Sequence, residues 1–139
     1  MGSKLHKQWL IVTAVIVGSF GPVFALGSAA ASAGPAESTL DLLSWPVDGN
    51  MPFDATPTRF LSALTGGFLF GWGITILLLR RYVYDLAPEG VRKAVVGGLL
   101  AWFTLDTAGS IASGNPSNAV FNVLVLLAAV GPLWRPPRG

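Results

Sequence analysis

The sequence predicts an all-α integral membrane protein: a four-helix bundle with N-in/C-in topology and a short interfacial helix in its first outer loop. Three observations carry that expectation. Charged residues make up 12% of the chain against about a quarter in an average soluble domain, while 52% are hydrophobic and the mean hydropathy is +0.59. The apolar residues are gathered into runs of the length that crosses a hydrocarbon core, about 20 residues for about 30 Å. Basic residues flank those runs, and all but one fall on a single side. Residues 1–139 therefore read as one membrane domain with spans at about 9–27, 57–80, 92–113 and 116–134, and an outer loop over 28–56.

The first span opens at Trp9 behind Lys4, His6 and Lys7 and closes on the small residues 27–34. Ala31-Ser32-Ala33 has the form that signal peptidase cleaves, so a removed leader is the rival reading. The run of eighteen apolar residues exceeds the h-region of about 7–15 that a leader carries, and Gly21-Pro22 interrupts it, which favours a retained helix. Pro22 leaves the carbonyl near Gly18 without its helical donor, so a kink is expected there.

Residues 35–56 form the one long polar connection, with Glu37, Asp41, Asp48 and Asp54 and no Lys or Arg. Ser38 as a cap, followed by the closely spaced apolar residues of 40–45, predicts a short helix in the outer interface that ends at Pro46, with Trp45 at headgroup level. Thr56-Pro57 opens the second span, which stops at Arg80-Arg81. Ala87-Pro88 opens the third helix and Ser113-Gly114 ends it. Asn115-Pro116 then starts the fourth, which reaches Trp134, so the last two spans form a tight antiparallel hairpin. The tail 135–138 holds two prolines and cannot stay helical.

Lys4, Lys7, Arg80, Arg81, Arg92, Lys93, Arg135 and Arg138 fall on one side of this arrangement and only Arg59 on the other. Basic residues mark the cytoplasmic side, and a bias this strong opposes insertion in two orientations. It also explains the pI near 9.4 without a nucleic acid partner. With no cysteine and one histidine, thiol redox chemistry, cysteine-held metals and haem between intramembrane histidines are not open to this chain alone. No cofactor or metal is expected.

Two features invite function. Ala63, Gly67, Gly71 and Thr75 place small residues four apart along the second span, a helix-packing stripe that serves close approach inside this bundle or, alternatively, a homodimer face. The second is Asp106, about seven residues or roughly 10 Å below the outer end of its helix. A carboxyl at that depth costs at least ~2.5 kcal/mol, so it should face the bundle and have partners. With the hairpin centred on Gly114, Asp106 lies opposite Asn122 and Ser110 opposite Asn118. Each pair is spaced i, i+4 on its helix, which builds a two-rung polar ladder. Trp102, one turn deeper than Asp106, is placed to cover it, with an indole N–H that needs an acceptor. The ladder reads as a structural clamp or as a site for a proton, a cation or a polar headgroup.

There is no P-loop, dinucleotide fingerprint, H-E-x-x-H motif or pair of intramembrane carboxylates. On residues 66–73 of the second span, and on Leu105-Asp106 through Ser113-Gly114-Asn115-Pro116, the chain resembles the small four-span bacterial inner-membrane proteins of the broad DoxX-like type. That resemblance implies a four-helix bundle in a bacterial cytoplasmic membrane, with accessory roles beside larger complexes. The expected function is non-enzymatic: an accessory or assembly subunit, or a homo-oligomer, acting through helix contacts, with the lipid bilayer and a larger membrane complex or a second copy as partners. The alternative is a channel or transporter for protons or a small solute along Asp106, Asn122, Ser110 and Asn118. A lipid- or quinone-modifying enzyme is least favoured, because acid–base work normally takes more than one placed group.

Overall fold

A computed structural model describes residues 2–136. Five α-helices follow one another, α1 (Gly2–Leu26), α2 (Gly34–Leu43), α3 (Thr56–Tyr82), α4 (Pro88–Ala112) and α5 (Ser117–Val130), and α5 runs on as a 3-10 turn over Gly131–Trp134. Among the described residues there is no strand. Four segments are long and apolar enough to cross a membrane: Lys4–Leu26, Thr56–Tyr82, Pro88–Ala112 and Ser117–Trp134. That is the make-up of a multi-pass membrane protein.

The helices overrun the predicted spans at the end that carries the basic residues. α1 starts seven residues before Trp9 and α3 continues through Arg80-Arg81 to Tyr82, while α4 begins at Pro88, where Ala87-Pro88 is expected to open the helix ahead of its apolar stretch. Apolar runs mark where lipid stops, whereas helices stop only where backbone bonding does. Side chains tie this end together: Lys7 pairs with Asp85 in the turn between α3 and α4, Arg80 Nε donates to the Lys7 carbonyl at 2.7 Å, and within α4 Arg92 forks onto Glu89 at 2.7 and 2.6 Å. Arg92 also donates to the Leu133 carbonyl at 2.9 Å, which ties α4 to the end of the chain.

α1 and α3 are antiparallel and meet along a glycine seam. A Cβ placed on Gly66 would fall 2.5 Å from the Ala25 nitrogen and the Gly21 oxygen, and one on Gly73 would fall 2.7 Å from the Gly18 Cα. Backbone therefore lies on backbone, and Ser62 Oγ locks the contact by donating to the Phe24 carbonyl at 2.6 Å. The seam departs from the predicted stripe where that stripe is read as packing inside this bundle. A Cβ on Gly67 or Gly71 would meet nothing within 4 Å, and both face outward with Thr75, so the packing glycines are Gly66 and Gly73. Counting small residues at i, i+4 finds a face without saying which face is covered, and the covered one here follows the spacing of seven from Gly66 to Gly73.

α5 packs on the other flank of α1. Pro132 has no N–H, so the Ala128 carbonyl four residues earlier loses its helical donor and accepts Trp9 Nε1 at 3.1 Å instead. Thr13 Oγ1 donates to the next carbonyl, Ala129, at 2.7 Å. Gly131, at φ +42°, lets the chain turn against the Trp9 ring. The fourth span thus ends in a 3-10 turn and not, as predicted, as one helix to Trp134.

The short helix forms four residues before the predicted start at Ser38, because Pro35 at its first turn sets a helical φ. Past its end, the buried Asp41 carboxylate accepts the Asp48 and Gly49 amides and folds the chain back. Ala33 and Ala36 pack with Phe24 and Phe53 at the end of α1, while the C-terminus of α2 is tied to α5. Ser117 Oγ donates to the Leu43 carbonyl at 2.6 Å and receives the Trp45 amide at 3.1 Å, Ser44 bonds Asn115, and Trp45 meets Phe121 edge-on. α2 is consequently a strap from the α1–α3 pair to the α4–α5 hairpin.

Candidate functional site

The α4–α5 hairpin turns at Gly114, whose φ of +82° suits glycine, and returns the chain antiparallel. That turn brings together Asp106, Ser110, Asn118 and Asn122. Three donors converge on one carboxylate oxygen, Asp106 Oδ1: Asn122 Nδ2 at 2.7 Å, Asn118 Nδ2 at 2.9 Å and Ser110 Oγ at 3.1 Å. Each amide also uses its second hydrogen nearby, Asn118 on Ser110 Oγ at 2.8 Å and Asn122 on Thr107 Oγ1 at 3.2 Å. The arrangement is tighter than two separate rungs, since Asn118 spans both. Asn122 is buried, and the other three are partly buried.

Thr107 was missed by sequence reasoning. It neighbours Asp106 and so sits about 100° round the helix from it, off the i, i+4 face, and only the reach of the Asn122 amide brings it in. Trp102 is placed differently from expectation: it lines the same cavity as Asp106, but its indole makes no hydrogen bond to the Asp106 carboxyl.

That cavity has a volume of about 840 Å³, within the range of roughly 300–1,000 Å³ usual for small-molecule sites. Val17, Phe20 and Phe24 of α1 form its back wall. Phe68, Leu69 and Trp72 of α3 face Leu99, Trp102 and Leu105 of α4, and Leu40, Leu43 and Phe53 roof it at the loop end. α3 and α4 make few direct contacts; Trp72 reaches Gly98, and beyond that point towards the loops the two helices stand apart. Asp106, Asn118 and Asn122 form one polar wall, Thr58, Ser62 and Thr65 of α3 add hydroxyls, and no Lys, Arg or His lines the space. A second, smaller cavity of about 280 Å³ lies on the loop side, lined by Ser44, Met51, Ser110, Ser113 and Asn115, and it shares Leu40, Leu43 and Asn118 with the first.

Among the described residues no group of three His, Asp or Glu side chains is placed to hold a metal ion. No protein-family model, curated protein or solved structure matches the chain, so the comparisons neither support nor oppose the DoxX-like resemblance.

Proposed function

We propose that this is a non-enzymatic protein of a bacterial cytoplasmic membrane that holds a small lipid-phase molecule against Asp106, as an accessory component of a larger assembly. The observation that carries the reading is the cavity itself: aromatic and apolar walls, one roof helix, and a single carboxyl presented on a neutral hydrogen-bonded frame. A clamp alone would need the polar cluster but not the space beside it. The test is native mass spectrometry of protein gently extracted from its own host's membranes. A small molecule retained by the parent and lost in Asp106→Asn supports binding; parent protein that is consistently empty refutes it. The same spectrum gives the mass of the mature chain. We propose that α1 is retained, since its loss would uncover the Gly66 and Gly73 seam, and a mass lacking the first thirty-odd residues would overturn that.

Both chain ends belong in the cytoplasm on this reading, with α2 in the outer interface. Support comes from the basic cluster of Lys7, Arg80, Arg81, Arg92 and Lys93 at one end and the acidic connection at the other. Because the chain has no cysteine, single probes suffice. In intact cells Asn50→Cys should react with an impermeant maleimide and Leu86→Cys only after permeabilisation; the reverse pattern inverts the topology.

A second reading, action through helix contacts with a larger subunit or another copy, is favoured by the exposed Gly67, Gly71 and Thr75 face of α3, continued by the half-buried Ala63. A third, proton or solute transport, draws on the loop-side cavity that reaches Asn118. It requires a flux into liposomes that Asp106→Asn abolishes.

A further inference from the structure

We propose that the molecule held against Asp106 is a lipophilic cation, an apolar or aromatic body bearing one positive charge, which enters sideways from the lipid between α3 and α4. The inference rests on the binding reading above and narrows it to a ligand class.

The carboxyl is half used. Oδ1 takes all three protein donors, whereas no hydrogen bond from the described residues reaches Oδ2. Those donors are neutral, and the cavity lining contains no basic side chain, so nothing within the cavity balances a carboxylate. An unpaired charge in apolar surroundings is costly, and a ligand hydroxyl would satisfy Oδ2 while leaving that charge uncompensated. A cation supplies the missing charge, and one that carries an N–H also supplies the hydrogen bond. Aromatic side chains line the same space, Trp102 one turn below Asp106 on α4 and Trp72 on the facing wall of α3. A small inorganic cation is a poor match: the other oxygens on the lining are the amides of Asn118 and Asn122 and the hydroxyls of Thr58, Ser62 and Thr65, too few and too neutral among Phe, Leu and Val to replace its water.

Shape sets the route. The strap helix closes the loop end with Leu40 and Leu43, and the α1–α3 seam shuts the back, whereas the wide side chains Phe68 and Leu105, both strongly exposed, flank the space between α3 and α4. A ligand already dissolved in lipid meets that gap directly.

The experiment is equilibrium dialysis of the full chain in phosphatidylcholine nanodiscs, with empty nanodiscs subtracted. The probes are tetraphenylphosphonium, the tetraphenylborate anion of matching shape, and hexadecanol as a neutral amphiphile. Saturable tetraphenylphosphonium binding is expected, weakened about tenfold or more by Asp106→Asn and unchanged by the exposed control Asp54→Asn. Thermal melting of each variant confirms that it is folded, and Trp102→Leu should also weaken binding of the cation. Saturable binding of hexadecanol or tetraphenylborate with no preference for the cation overturns the ligand class while leaving the cavity reading in place. Tetraphenylphosphonium affinity that is equal in the parent and Asp106→Asn likewise removes Asp106 as the cation's partner. No saturable binding of any probe, together with consistently empty parent protein in native mass spectrometry, overturns both.

Discussion

The two sides of α3 solve the same problem in opposite ways. Towards α1, glycines let two backbones touch along Gly18, Gly21, Gly66 and Gly73. Towards α4, Phe68 and Trp72 face Trp102 and Leu105, and the helices stand apart around a cavity. Lipid tails are as apolar as leucine, so helices in a membrane gain little by burying large side chains against each other; they gain from close backbone packing and from polar bonds. Where α3 turns Gly66 and Gly73 to α1 it closes on its neighbour, and where it turns aromatic residues to α4 it leaves room. The α4–α5 hairpin, correspondingly, has no glycine contact of this kind and is held across its loop-end half by the Asp106 cluster.

The largest effect should come from closing the wrong side. Gly66→Leu places carbon where the Ala25 nitrogen and Gly21 oxygen already lie within 2.5 Å of a first Cβ, and flexible side chains cannot move aside to relieve backbone. We expect a loss of about 3 kcal/mol or more, seen as little folded protein by size-exclusion chromatography and a collapsed melting transition. A melting temperature near the parent's would mean that the α1–α3 seam is not packed as described.

The polar side should be next. Asp106→Leu leaves Asn118, Asn122 and Ser110 without their shared acceptor, a cost of about 1–3 kcal/mol, whereas Asp106→Asn keeps an amide oxygen there and should stay within about 0.5 kcal/mol of the parent. Thermal unfolding of both in the same detergent separates frame from function: equal stabilities for the Leu variant and the parent would remove the clamp. Thr13→Val should cost less, about 0.5–1 kcal/mol, because it removes one bond to the Ala129 carbonyl and keeps the volume. A larger loss would show that α5 depends on α1 through that carbonyl more than one hydrogen bond allows.

How much of this could be read in the sequence follows from what each signal measures. Hydropathy reports contact with lipid, so it located the apolar cores of four helices but not the turns of helix that Lys7 and Arg80 carry beyond them; the turn before Arg92 was legible only through Pro88. The Asp106 cluster was legible because a tight hairpin with a known turn fixes depth on both helices by counting, and i, i+4 spacing fixes the face. The cavity was not legible, because it exists where Trp72 and Trp102 fail to approach, and the distance between helices distant in sequence leaves no periodicity. Nor was the role of Pro132 visible: its freed carbonyl matters only because Trp9, more than a hundred residues earlier, donates to Ala128.

The smallest expected effect is the sharpest test of which side of α3 is which. Gly67 and Gly71 share the G-x-x-x-G spacing that first marked this helix, yet a methyl on either meets no atom within 4 Å, whereas Gly66, one residue away, has none of that freedom. Alanine also favours helix over glycine by up to about 1 kcal/mol in water. Gly67→Ala and Gly71→Ala should therefore leave the unfolding of a single copy in dilute detergent unchanged or slightly raised, in contrast to Gly66→Leu. Their value lies in a second readout. If the doubled substitution Gly67→Leu, Gly71→Leu leaves that single-copy stability intact but strips a partner, or a second copy, from the protein extracted from its own membrane, the face left open by the fold is the one used for assembly. If it lowers single-copy stability as Gly66→Leu does, then α3 is rotated about its axis from the position described, and the small-residue stripe read from the sequence is the internal seam after all.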